Sequence, residues 1–311
     1  MTTLISNADI MLENFTPGAA KRLGYDYVKA QQIKSDIIYA SISGFGQSGP
    51  YKDLKGYDAV AQAMSGIMAS TGEADRAPVR VGPSMIDMGT GMYVVIGIMD
   101  ALRKKDLTKD GAYLEFNLLD SALSWMSQSI ANYSRTGVVP SRTGSALASF
   151  SPYQVFNAKA NPVFIGASTD IFWKKLCDAL DLRDLSDDQR FIDMKSRVTN
   201  RTALTEIIET KISNLTVSNV LKKLRAAEIP CAPVLSVEGV VNDPHVKDRN
   251  RLIPSEDSTI GRVLQTRMPI GGGASPRSAP KLGEHNIEIL TEYGFSREEI
   301  TQLEKTETIL N

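Results

Sequence analysis

Histidine and cysteine are nearly missing from this chain: 311 residues include two of each. His245 and His285 lie far apart, so a histidine-built metal site or a Ser-His-Asp triad is not expected. Cys177 and Cys231 form no Cys-x-x-Cys pair and are too few for a disulfide framework; they fit a reducing cytoplasm. An excess of charge is also lacking, with 35 basic against 36 acidic residues and a net charge of -1. Nothing in that balance calls for nucleic acid or for an anionic membrane surface. No apolar run reaches about 18 residues, so no transmembrane helix is expected. The opening Met-Thr-Thr-Leu-Ile-Ser-Asn lacks the basic region and apolar core of a signal peptide. Internal repeats and low-complexity segments are absent too.

What is present is apolar content: 42% hydrophobic residues over this length bury a large core and predict two domains. The run Asp9–Glu13 ends in the turn cluster Asn14-Phe-Thr-Pro-Gly18, and short helices fit 19–23 and 27–33. Ile37–Ser43, rich in branched side chains, reads as a buried strand. This strand–turn–helix–strand order suggests a parallel α/β sheet. Helices are predicted over 57–69, 90–102 and 119–133, with a strand over 112–117. The Gly-, Ser-, Pro- and Thr-rich stretch 136–152 reads as a linker or an active-site loop. A smaller α+β unit follows: a strand at 163–166, a helix over 171–180 and two more between 201 and 224. Apolar residues at 217, 220, 221 and 224 have helical spacing. An extended stretch at 229–235 and a last helix near 297–304 complete the pattern.

The run Ala77-Pro-Val-Arg-Val-Gly-Pro-Ser-Met-Ile-Asp-Met-Gly-Thr-Gly-Met92 is the most informative. It sets one carboxylate, Asp87, among apolar neighbours, with two glycines behind it, just ahead of the helix predicted from Thr90. The local sequence favours a helix cap. The chemical alternative is a nucleophile: a carboxylate is ionised at neutral pH and attacks a carbonyl without help from a base. Nearby glycines would admit an acyl group and offer N–H groups to an oxyanion. Gly44-Phe-Gly-Gln-Ser-Gly49 matches a dinucleotide fingerprint, but Pro50-Tyr-Lys-Asp53 follows where a helix would have to begin, so a plain glycine loop is preferred. Lys21, Arg22 and Lys55 read as solvated cations and Cys231 as a buried small residue. Gly271-Gly-Gly273 reads as a flexible loop and His285 as a surface or packing residue.

Taken together, several segments resemble the family III CoA-transferases, a family that also includes α-methylacyl-CoA racemases. The matching stretches are Ala8–Gly18, Ser41–Tyr51, Gly56-Tyr-Asp58, the Asp87 segment, Ser151–Phe156, Ile229–Val234 and Leu282–His285, in the family's order. The resemblance implies an α/β fold with a Rossmann-like large domain and a smaller α+β domain, in a homodimer of interlocked subunits. It implies Asp87 as the catalytic aspartate, and Asn14, Phe15, Arg22, Lys55 and Tyr57 as residues lining a coenzyme A site. Arg22 and Lys55 thereby become partners for CoA phosphates. Acyl-CoA and a carboxylic acid are the implied substrates, with no metal and no permanently bound cofactor. The domains are expected at 1–120 (large), 121–144 (helical linker), 145–240 (small) and 241–311 (a segment returning to the large domain).

Three departures from the family pattern shape the expected function. Racemases carry a histidine where this chain has Tyr57, which removes the second acid/base and favours CoA transfer over racemisation or epimerisation. The stretch matching a glycine-rich loop that closes over the aspartate, Ser145–Ser151, has no glycine, Gly144 being the nearest. The family begins several dozen residues earlier, so a shortened, catalytically inert member is the remaining alternative. The Ser151–Phe156 stretch resembles members that use succinyl-CoA and hints at dicarboxylate substrates.

Overall fold

The computed structural model describes residues 1–257, 259–270 and 277–309. After a short helix α1 (Thr2–Asn7), three strands form a parallel sheet in the order β1 (Ile10–Glu13), β2 (Ile38–Ser43), β3 (Ala112–Asn117). Ile10 pairs with Ile38, and Ile38 with Ala112. β2 is central, and its run of branched residues is buried as a parallel strand requires. Helices α2 (Ala19–Arg22) and α3 (Tyr27–Ile33) join β1 to β2, and Asp26 caps α3 by accepting from the Lys29 N–H. Ala30 packs with Ile5, Ile37 and Tyr39 on one face of the sheet. Helices α4 (Asp58–Ser65) and α5 (Met85–Thr108) precede β3, and α6 (Leu118–Trp125) follows it. α5 packs against α4, α6, β2 and β3.

Two glycines of α5 set its packing distance. A Cβ at Gly89 would stand 2.3 Å from the Trp125 ring, and one at Gly97 would stand 2.5 Å from Phe116. Ile86, Thr90, Val94 and Ala101 form the buried stripe of α5, while Met88, Met92, Val95, Ile96 and Met99 form an exposed apolar stripe. Where no membrane-length helix was expected, α5 is long and apolar enough to cross a membrane by length and composition, because such a span tolerates isolated charges such as Asp87.

After α7 (Ser127–Thr136), an irregular segment leads to an antiparallel sheet of β4 (Tyr153–Asn157), β5 (Pro162–Gly166) and β6 (Cys231–Pro233). Around it lie α8 (Asp170–Ala179), α9 (Met194–Thr199), α10 (Arg201–Ile212) and α11 (Val217–Ala226). Phe156, Ile165, Trp173, Leu176, Leu204 and Leu224 belong to one continuous core. Arg197 lies fully buried within it, donating to the carbonyls of Ser151 and Phe191 and to Asp170, with its guanidinium over Trp173. Cys177 is buried in the same core, which pushes its thiol up to about 12. Helices α12 (Val237–Asn242) and α13 (Pro244–Asp248) lead to a hairpin of β7 (Leu252–Asp257) and β8 (Gly261–Thr266). Two helices, α14 (Asn286–Glu292) and α15 (Arg297–Lys305), follow, the latter closed by a Ser296/Glu299 capping box.

Several expected boundaries change for local reasons. α4 stops at Ser65 because Gly66 adopts φ 92°, so the predicted helix to Ala69 continues only as a 3₁₀ turn over Met68–Ser70. The helix expected as one piece over 119–133 is two, α6 and α7, which meet at Met126, whose N–H bonds back three residues to the Leu123 carbonyl. α5 begins at Met85, five residues before the expected start at Thr90. The glycine run Gly271–Gly273 lies outside the described residues.

Candidate active site

A cleft of about 470 Å³ opens at the C-terminal end of the parallel sheet. Its lining includes Asn14, Phe15, Lys55, Gly56, Tyr57 and Asp87. Thus five of the six site residues expected from the sequence meet in one place, drawn from three separated segments. The turn after β1 supplies the first two. The Asn14 amide donates to the Ile42 carbonyl at 3.1 Å, tying the turn to β2. The Phe15 N–H donates to the buried Glu13 carboxylate at 2.7 Å, which leaves the Phe15 ring accessible at the cleft. Arg22 is the exception. It does not line the cleft; its guanidinium lies over Gly18, 3.2 Å from where a Cβ would stand.

Lys55 and Tyr57 reach the cleft through a close backbone crossing. The Gly44 and Gly56 backbones touch, and a Cβ built on either would stand 2.5–2.6 Å from the other's Cα. Any side chain there would push the Lys55–Tyr57 segment off the end of the sheet. This also gives the Gly44–Gly49 run its role: no helix follows it until Asp58, so it shapes a loop rather than a dinucleotide cradle. Lys55 forms no ion pair among the described residues and is exposed, leaving its charge available to an anionic ligand. Tyr57 is 70% exposed.

Asp87 sits in the first turn of α5. The capping role that the local sequence favours belongs to another residue. Asp58, buried at the start of α4, accepts from the N–H of Ile86 at 2.7 Å and of Asp87 at 3.3 Å. Its other oxygen accepts from the Gln62 amide at 2.6 Å, and the Gln62 carbonyl in turn accepts from the Val81 N–H at 2.9 Å. Asp58 and Gln62 were not singled out by sequence reasoning as site residues; the only signal was Asp58's place in the Gly56-Tyr-Asp stretch. No hydrogen bond or ion pair holds the Asp87 carboxylate among the described residues. Partial burial, together with the negative charge of Asp58, raises its pKa above the ordinary carboxylate value.

The two glycines behind Asp87 serve differently from the expectation. Both lie inside α5, where their N–H groups belong to the helix ladder and are not offered to an oxyanion. Gly89 is buried against Trp125, while Gly91 lines the cleft with open space beyond its Cα. Thr90 also lines the cleft, and its buried hydroxyl has no hydrogen-bond partner among the described residues. Ser145–Ser151 does not line the cleft; Arg201 holds its Leu147 and Ala148 carbonyls instead. A larger cavity, about 620 Å³ between Lys21, Tyr27, Tyr39, Lys52 and Tyr113, contains none of the expected site residues.

An accessible carboxylate with no partner among the described residues, sharing a cleft with a lysine that forms no ion pair there and with an exposed aromatic ring, is suited to acyl transfer on an anionic thioester substrate. The comparisons with known proteins agree with this chemistry. An acetyl-CoA:oxalate CoA-transferase of Acetobacter aceti is 35% identical over 296 residues, 93% of this chain and 75% of that protein. A human succinyl-CoA:glutarate CoA-transferase is 33% identical over 293 residues, 93% of this chain and 67% of that one. The crystal structure of a CaiB/BaiF family protein from Brucella suis superposes with a TM-score of 0.80 at 32% identity, covering 94% of this chain and 77% of that one. The model of the CoA-transferase family III matches residues 1–286, and the chain belongs to that family.

Proposed function

We propose that the chain moves coenzyme A from an acyl-CoA, succinyl-CoA being the favoured donor, to a carboxylic acid, with Asp87 as the nucleophile. One observation carries the assignment: Asp87 presents a carboxylate without hydrogen-bond partners among the described residues to a cleft that also gathers Asn14, Phe15, Lys55 and Tyr57. A carboxylate oxygen of Asp87 attacks the thioester carbonyl carbon; the C–S bond breaks, leaving a mixed anhydride and CoA thiolate. The thiolate then attacks the Asp87 carbonyl carbon and expels the donor acid as carboxylate, leaving an aspartyl-CoA thioester. The acceptor carboxylate attacks that thioester, and the released thiolate takes the acyl group from the second anhydride. No net proton moves, so no histidine is needed. Both intermediates hydrolyse in water, and transfer therefore depends on keeping CoA seated between steps.

Lys55 and Arg22 are the proposed partners of CoA phosphates, with Arg22 acting from beyond the cleft, and Asn14, Phe15 and Tyr57 bind the rest of the thioester arm. Dicarboxylate substrates are supported by the names of the succinyl-CoA:glutarate and acetyl-CoA:oxalate relatives. A homodimer with interlocked subunits is part of the same proposal; the exposed stripe of Met88, Met92, Val95, Ile96 and Met99 supports a second copy as its cover. The racemase alternative lacks its second acid/base, because Tyr57 stands where racemases carry histidine. Incubating a 2-methylacyl-CoA with the protein in D₂O tests this, with no deuterium expected at C2. The transfer reading itself is tested by Asp87→Asn, which keeps shape but removes the nucleophilic oxygen. A folded variant without succinyl-CoA-dependent transfer is expected, and full turnover by it would remove the assignment.

A further inference from the structure

We infer that Asp58 is a positioning residue for the acyl-transfer step: it fixes the backbone of α5's first turn from a neighbouring helix, leaving the Asp87 carboxylate free to attack. The inference rests on Asp87 being the nucleophile. A helix that starts with an aspartate in its first turn ordinarily draws that carboxylate, or the N-cap side chain, onto its own free N–H groups. Here the N-cap Ser84 makes no side-chain cap bond. The Met85 N–H is taken by the Pro83 carbonyl, and those of Ile86 and Asp87 by Asp58. With the N–H groups of Met85, Ile86 and Asp87 all occupied, the one early donor left to the Asp87 side chain is the Ser84 N–H, and the carboxylate makes no hydrogen bond to it. Gln62 extends the anchorage to Val81, so the approach to α5 is held at both ends, at Val81 and at Ile86 and Asp87.

The polarity of this buried chain dictates the test. Asp58 accepts at both oxygens; Gln62 donates to one of them and accepts from Val81. In Asp58→Asn, a side chain that keeps its oxygen on the Ile86 and Asp87 N–H groups turns its NH₂ against the NH₂ of Gln62. Flipping Gln62 only moves the clash to the Val81 N–H. Adding Gln62→Glu removes the conflict, since the new carboxylate accepts both from the amide introduced at position 58 and from the Val81 N–H. The double variant thus restores every hydrogen bond while moving the negative charge one helical turn away from the Asp87 backbone. Among titratable groups on the elements packed against α5 (Asp58 on α4, Asp120 on α6, Tyr39 on β2, Tyr113 and Glu115 on β3), only Asp58 acts on the Asp87 carboxylate, while Lys55 and Tyr57 share its cleft.

The experiment compares the wild-type chain, Asp58→Asn and Asp58→Asn/Gln62→Glu for kcat, for KM toward succinyl-CoA and for the pH profile. Asp58→Asn is expected to lower kcat at least tenfold with KM changed less than about threefold. The double variant is expected to recover most of kcat, with the acid limb of its profile below that of the wild type. Wild-type kcat in folded Asp58→Asn overturns the inference, as does a loss shared equally by kcat and KM without recovery in the double variant. If Asp58→Asn does not fold, the double variant decides: a folded double variant whose kcat stays tenfold or more below the wild type overturns the inference. Trapping of the donor acyl group on Asp87 of the wild-type chain is measured first. Absence of that adduct removes the nucleophile itself, whereas an adduct with unchanged Asp58→Asn kinetics removes the role of Asp58 alone.

Discussion

The Asp58 carboxylate accepts the backbone N–H of Asp87 at 3.3 Å, so two acidic residues meet through main chain rather than through side chains. The contact holds Asp87 in place and also sets a second negative charge nearby, and both effects bear on its chemistry.

Partial burial, with that neighbouring charge added to it, makes the ionised form of Asp87 costlier in the folded chain than in the unfolded one. A carboxyl whose folded pKa is raised favours the fold while protonated, and that benefit is lost as pH rises through its folded pKa. Asp87→Asn is therefore expected to stabilise the protein slightly at neutral pH, by about 0.5 kcal/mol, the scale of changes at accessible positions. Below the ordinary carboxylate range the gain should vanish. Urea melts at pH 7 and near pH 3 check this; a variant less stable than wild type at pH 7 would contradict it.

Gly44→Ala and Gly56→Ala each drive a Cβ into backbone 2.5–2.6 Å away. Backbone cannot step aside as a side-chain end can, so a loss of about 1–3 kcal/mol is expected, on the scale of overpacking. Because the crossing carries Lys55 and Tyr57 into the cleft, KM for acyl-CoA should rise in whatever folded fraction remains. Denaturant midpoints and steady-state kinetics on the two variants give the answer.

Thr90→Val replaces a buried hydroxyl that has no partner among the described residues by a methyl group of similar shape. Leaving a polar group unpaired costs about 1–3 kcal/mol, so the substitution should leave stability unchanged or raise it. A melting point lowered by several degrees would mean that the hydroxyl is bonded after all.

Arg197→Leu removes the donors held by the Ser151 and Phe191 carbonyls and by Asp170, deep in the second core. Orphaning buried carbonyls and losing the stack on Trp173 should cost on the order of 3 kcal/mol. The cleft is built from other segments of the chain, so the folded variant should keep its KM for acyl-CoA. Thermal melting and kinetics measured together separate the two effects.

The parallel sheet was readable from the sequence because Ile37–Ser43 is buried on both faces, and such strands are written as continuous branched runs. The start of α5 was not. Gly89 looks like a breaker ahead of the helix predicted from Thr90, yet it sits inside α5 to make room for Trp125, a partner distant in sequence. The cap was misread for the same reason: the acceptor for the Asp87 N–H comes from 29 residues upstream, where no local pattern points. Asn14, Phe15, Lys55 and Tyr57 line one cleft, which no local pattern in the sequence brings together, whereas Arg22 lies over Gly18 and does not line it. The β7–β8 hairpin escaped notice because its strands are mostly polar or half-exposed and carry little hydrophobic alternation.

The central claim is that Asp87 becomes covalently acylated. Intact protein mixed with succinyl-CoA, quenched in acid within seconds, then digested and read by mass spectrometry tests it most directly. The expected result is a donor-derived or CoA adduct on the peptide carrying Asp87, sensitive to hydroxylamine and absent from Asp87→Asn. Transfer activity accompanied by an adduct on another residue, or an unchanged adduct in Asp87→Asn, would contradict the account.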